Sequence, residues 1–209
     1  MDYAIHECAQ DASWRLRWLL RSRRFFTDAE MVFHFKAHLL SFIEYRTPAI
    51  YHATCTALAP LDGILFNFLR QLGISEDGAL HHFRPARLRS RRDIAMLCFV
   101  HRSVLGLGPP HFKRFFRSEL HSSSYLSRRR HNRHLVDIRP IYRLEMYSRS
   151  ALSLPWVYNL LPQWIVDSPT VTKFQSNLQL LMRRTALSDS RWPDLFSPRL
   201  PFTGHPLRG

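Results

Sequence analysis

The densest chemistry in the chain is cationic. Ser127-Arg-Arg-Arg-His-Asn-Arg-His134 places Arg128, Arg129, Arg130 and Arg133 within six residues, and such a run neutralises consecutive phosphates, with His131 and His134 joining at lower pH. A second group, Arg84, Arg87, Arg89, Arg91 and Arg92, precedes or opens a predicted helix. Cations at a helix N-terminus oppose its dipole, and an anion seated between them and the helix amides would relieve that conflict. These nine arginines are the candidate nucleic-acid-binding residues. They predict backbone contact and no base readout, because no base-reading motif accompanies them.

Other chemistries lack their residues. HExxH is absent: His34 and His38 share a helical face, but Phe35 stands where the glutamate would be. No GxSxG, GxxxxGK[ST] or GxGxxG occurs, and Gly106-Leu-Gly108 runs into Pro109-Pro110, which remove the amides a phosphate needs. The ten aspartates are never adjacent, so no carboxylate pair offers itself for two-metal nucleotidyl transfer. No catalytic residue, metal site or cofactor is expected. Cys8, Cys55 and Cys98 form no CxxC and are odd in number, which suits reduced thiols in an intracellular protein, nuclear or cytoplasmic.

The elements that must carry the arginines read as helices. The 209 residues are 45% hydrophobic with 15 Phe and only 7 Gly, a composition for a packed, mainly α chain. Expected helices run over 4–26, from the Thr27/Glu30 capping box to about Tyr45, from Pro60 to Gly73, from Ser75 to His82, over 91–105, over 111–117 and over 170–187. Residues 141–161 suit a short strand or hairpin. The organisation expected is a helical domain at 1–117, a basic flexible loop at 118–140, a C-terminal helical segment at 141–187 and a disordered Pro-rich tail at 188–209. No apolar stretch reaches membrane-spanning length, and the N-terminus lacks the pattern of a secretory signal.

The net charge is +14. By segment it is +1 over 1–60, +2 over 61–100, +8 over 101–143 and +3 over 144–209. Polyanion binding explains this excess. So does base composition, since 27 of the 30 basic residues are Arg, as a GC-rich genome produces.

Several blocks resemble the region after the palm in non-LTR retrotransposon reverse transcriptases, in the wording of protist and algal elements. Ala12-Ser-Trp-Arg-Leu-Arg-Trp-Leu-Leu20 with Arg23-Arg-Phe25 is similar to the thumb-entry helix. Phe35-Lys-Ala-His-Leu-Leu-Ser-Phe-Ile-Glu-Tyr45 and Pro48 resemble the family's Y-K-x-x-[IL]-L-S-x-[IL]-E-Y-x-x-P block. Leu61-Asp62 with Phe68-Leu-Arg70 follows, then Arg91-Arg-Asp-Ile-Ala-Met-Leu97 through Leu105-Gly-Leu-Gly-Pro-Pro110. Val157-Tyr-Asn-Leu-Leu-Pro162 and Lys173-Phe174-Gln175 close the series. The blocks run in order across about residues 12–182. Tyr158 stands where Trp is commoner, and neither a Tyr/Phe-x-Asp-Asp strand nor a CCHC knuckle is found. The resemblance implies a thumb and linker fragment without its catalytic palm, gripping the backbone of RNA or an RNA–DNA hybrid, with Met1 lying inside a decayed element. The alternative is a basic helical structural or interaction protein with no enzymatic activity.

Overall fold

The computed structural model describes residues 2–83, 86–118, 131–137 and 145–208. The chain is mainly helical, and no strand occurs among the described residues beyond one isolated antiparallel bridge between Ser118 and Leu135. It divides into two compact units, Met1–Arg92 and Asp93–Gly209.

The first unit is built on α1 (Asp2–Arg21) and α5 (Cys55–Leu72). On α1, Ile5, Cys8, Ala9, Ala12 and Leu16 form a buried stripe at helical spacing, and the two alanines let α5 approach closely. The α5 face is Leu58, Leu61, Leu65, Phe68, Leu69 and Leu72, each side chain contributing about 1.5–3 kcal/mol on burial. Between them, α2 (Asp28–His34) runs through a π-turn at Phe35–Leu40 into α3 (Ser41–Tyr45), followed by α4 (Thr47–Ile50). Val32, Phe35, Leu39, Leu40 and Ile43 form a buried stripe, and Phe35 stacks on Phe68 with centroids 4.3 Å apart. The Thr27–Glu30 capping box forms as its spacing demands. Gly73, at φ +72°, closes α5 with its N–H on Arg70 O and the Ile74 N–H on Leu69 O. Ser75 caps α6 (Glu76–Gly78), and a second π-turn follows at Ala79–Phe83.

The structure departs from the sequence reading at three points along these helices; over 4–26 that reading groups Trp14 and Trp18 with Leu16, Leu19 and Leu20 near one side. The first helix ends at Arg21 and gives way to a 3-10 turn at Arg23–Phe25. Trp14 and Trp18 are 56% and 54% exposed, so neither indole joins the core. α5 starts at Cys55, because the Thr54 hydroxyl accepts the Ala57 N–H, and Pro60 lies inside the helix.

Next in the chain is α7 (Leu88–Val104). Ile94, Leu97 and Val100 are buried, as their spacing predicts, whereas Val104, on the same predicted stripe, is only partly buried. Its end is a Schellman turn: Gly106, at φ +78°, bonds its N–H to Ser103 O, and the Leu107 N–H reaches Arg102 O. Residues 111–117 hold a 3-10 turn, Pro110–Arg114, and no full helix. Across 145–161, where a strand or hairpin was expected, the chain forms α8 (Glu145–Ser148), a 3-10 turn and α9 (Leu154–Tyr158). All five residues of α9 are buried. Then come α10 (Gln163–Val166) and α11 (Val171–Ala186), the latter capped by Thr170 and burying Phe174, Leu178 and Met182. The tail expected to be disordered from residue 188 is packed: Trp192, Leu195, Phe196 and Leu207 are buried, and Trp156 of α9 meets the His205 ring edge-on at 4.9 Å. Of the expected basic loop, 119–130 and 138–140 lie outside the described residues.

Candidate nucleic-acid interface

Of the nine candidate arginines, Arg84, Arg128, Arg129 and Arg130 lie outside the described residues. Most of the others are engaged within the fold. The Arg92 side chain is 5% exposed, with its guanidinium 2.8 Å from the Asp62 carboxylate. Arg91 pairs with Glu44, and Arg87 lies 2.6 Å from Glu76. Arg89 is half-buried. The anion anticipated beside the α7 N-terminus therefore comes from the protein: the carboxylates of α3, α5 and α6 offset the clash between these cations and the helix dipole. A guanidinium with its fork on a buried-side carboxylate has few donors left for phosphate.

Arg133 belongs to a different structure. One of its NH groups donates to Val166 O at 3.3 Å, and His131, Asn132 and Leu135 are likewise bonded to Tyr158, Gln163 and Asn159 by polar groups. The Asn159 amide accepts the Leu135 N–H at 2.9 Å and donates to Leu135 O at 2.8 Å. Gln163 and Asn132 bond amide to amide at 3.0 Å. His131 donates from Nε2 to Tyr158 O at 3.0 Å and accepts the Arg133 N–H on Nδ1 at 3.1 Å. With both nitrogens committed and the ring buried, its pKa is held down to about 4, by desolvation first. His131 thus sits in the fold as a neutral ring and supplies no cation near neutral pH.

Below this latch lies a buried aromatic–polar cluster. His101 is fully buried; its Nε2 faces Ser168 O at 3.1 Å and its Nδ1 the Tyr158 hydroxyl at 2.9 Å. A carbonyl only accepts, so Nε2 carries the proton and the tyrosine donates to Nδ1. Burial lowers the His101 pKa and raises that of Tyr158. The Ser168 hydroxyl accepts from Asn177 Nδ2 at 3.0 Å. A neutral imidazole with every donor and acceptor answered, and no exposed surface, holds helices together; it is not placed to meet a substrate. Sequence reading had not singled out this cluster, since its members come from four separate elements.

Among the described residues, one run of outward-facing cations lies outside these nine positions. Residues 14–27 hold five arginines and no acidic residue, and Arg17, Arg21 and Arg24 are exposed. Arg21 rests over the Trp18 ring at 4.8 Å, and Arg24 over Phe25 at 4.7 Å. A groove of about 760 Å³ borders this face, lined by His6, Gln10, Asp11, Trp14, Arg17 and Pro60. The local signal was legible but diluted, because Asp2, Glu7, Asp11, Asp28, Glu30 and Glu44 bring the first sixty residues to +1. Among the described residues no group of three or more His, Cys, Asp or Glu side chains could hold a metal, and no helix is long and apolar enough to cross a membrane. No family model, curated protein or solved structure matches the chain.

Proposed function

We propose that this chain is a post-palm fragment of a non-LTR retrotransposon reverse transcriptase, catalytically inactive, whose remaining property is non-specific affinity for the backbone of RNA or an RNA–DNA hybrid inside the cell. The observation that carries the reading is the uneven charge, +8 between residues 101 and 143, together with the ordered blocks that resemble the family. The ion pairs of Arg87, Arg91 and Arg92 draw the second arginine group away from ligand binding. They shift the expected contact toward Arg128, Arg129 and Arg130. Those same ion pairs favour a second reading, a basic helical interaction protein whose arginines serve folding.

A salt titration separates the two. Binding of a fluorescent RNA–DNA hybrid should weaken steeply between about 50 and 200 mM salt, and the triple change Arg128→Ala, Arg129→Ala, Arg130→Ala should make the log–log slope shallower by about two to three. No binding at the low-salt end, or tight binding indifferent to salt, overturns the nucleic-acid reading and leaves the interaction protein.

A further inference from the structure

We infer that the C-terminal half of α1 and the 3-10 turn after it form a stacking surface for single-stranded nucleic acid. In it Trp14 and Trp18 take bases, and Arg17, Arg21 and Arg24 take the phosphates alongside. The inference rests on the nucleic-acid reading above but places contact on different residues. The chain buries Trp156 and Trp192, yet leaves Trp14 and Trp18 more than half exposed. These two lie one helical turn apart, about 6 Å of rise, with ring centroids 5.7 Å apart and planes at 67°. Both project opposite the buried stripe of Ala12 and Leu16. Packing therefore does not account for two indoles here.

The cations around them outnumber the two carboxylates, Glu7 and Asp11, on this side of α1. Arg17, Arg21 and Arg24 interleave with Trp14, Trp18 and Phe25, and none of the three pairs with a carboxylate among the described residues. The helix dipole favours a cation in the last turn; that accounts for Arg21 and leaves Arg17 and the indoles unexplained. Beside Trp14 the groove holds Gln10 and His6, joined at 3.0 Å. Aromatic faces on a cationic track are the components of single-strand binding, and stacking is sequence-tolerant because every base has a π-face. Bases inside a duplex have no such face free. An anionic membrane fits less well. Glu7 and Asp11 sit on the same side of α1 and would have to leave water, and the aromatics and cations alternate where an interfacial helix would segregate them.

The test uses the full chain with a labelled oligothymidylate, a duplex of the same length and phosphatidylserine vesicles, each over the same salt series. Exchanging both exposed indoles, Trp14→Ala with Trp18→Ala, should weaken single-strand binding about tenfold or more and leave duplex affinity and the salt slope unchanged. The pair Trp14→Phe with Trp18→Phe should restore most of it. Wild-type single-strand affinity in the alanine pair sinks the stacking surface while the backbone reading stands. Loss of binding to both nucleic acids at low salt in the wild type overturns both. Indole-dependent binding to the vesicles with none to the oligonucleotide overturns this inference in favour of a membrane.

Discussion

The imidazole of His101 lies flat against the ring of Phe174, centroids 3.9 Å apart and planes within 6°. Both rings are fully buried, so the stack joins α7 to α11 through a neutral histidine whose two nitrogens are committed to Tyr158 and Ser168. Removing the tyrosine hydroxyl leaves Nδ1 buried and unanswered. Tyr158→Phe should therefore cost about 1–3 kcal/mol, and Phe174→Ala about 3–5 kcal/mol through the cavity it opens, both read from urea denaturation. A Tyr158→Phe protein as stable as wild type would show that the hydroxyl is dispensable.

Acid should loosen the unit that holds these rings. Burial lowers the pKa of His101, and takes those of His131 and His205 to about 4. A free histidine titrates near 6.5, so the unfolded chain binds these protons first as pH falls. The stability tied to the neutral rings is thus complete above about pH 6.5 and is lost progressively between about 6.5 and 4. The urea midpoint should decline across that window. With His131→Gln and His205→Gln together the decline should be shallower, whatever the starting stability. An identical pH slope in the double variant would place the titrating groups elsewhere.

The Arg92–Asp62 pair should behave asymmetrically. Asp62→Ala strands a guanidinium that is 5% exposed, whereas Arg92→Met removes the charge and keeps the bulk. Asp62 is about a third exposed, so water softens the loss, and we expect about 1–2 kcal/mol for Asp62→Ala and less for Arg92→Met. Neither change should alter the salt slope of nucleic-acid binding. A shallower slope in Arg92→Met would return this residue to the interface.

Two glycines two residues apart should fail for different reasons. Gly106 adopts φ +78° with open space at its Cβ position, so Gly106→Ala carries backbone strain of about 1 kcal/mol. At Gly108 a Cβ would lie 2.6 Å from Ser103 Oγ and 3.0 Å from Ser103 Cα, and Gly108→Ala must displace the end of α7. Thermal melts should rank Gly108→Ala below Gly106→Ala. The double variant Gly108→Ala with Ser103→Gly should recover part of the loss.

Local signals in this sequence were dependable. Thr27 and Glu30 stand three apart and cap each other, Gly73 ends its helix, and the 3.6-residue stripes of α2–α3 and α5 are buried where their spacing puts them. On α11, Phe174, Leu178 and Met182 are buried and Val171 and Leu181 only partly so. Long-range pairings were not legible. Arg92 meets Asp62 thirty residues back, and Arg91 meets Glu44 forty-seven back, so arginines that read as ligands for an external anion already had internal ones. Residue type misled in both directions. Trp14 and Trp18 are apolar yet exposed, because Ala9, Ala12 and Leu16 fill the α1–α5 interface. The Pro-rich stretch after 188 is ordered, because Trp192, Phe196 and His205 have α9 and its neighbours to pack on.

One antiparallel bridge has a consequence for how this sequence tolerates change. Ser118 and Leu135 face each other, and the Val136 N–H closes onto Arg117 O at 2.9 Å. Asn159 answers both backbone groups of Leu135, accepting its N–H and donating to its carbonyl. Few other side chains carry a carbonyl and an NH2 at that reach, so beside the bridge position 159 should be the one that tolerates exchange least.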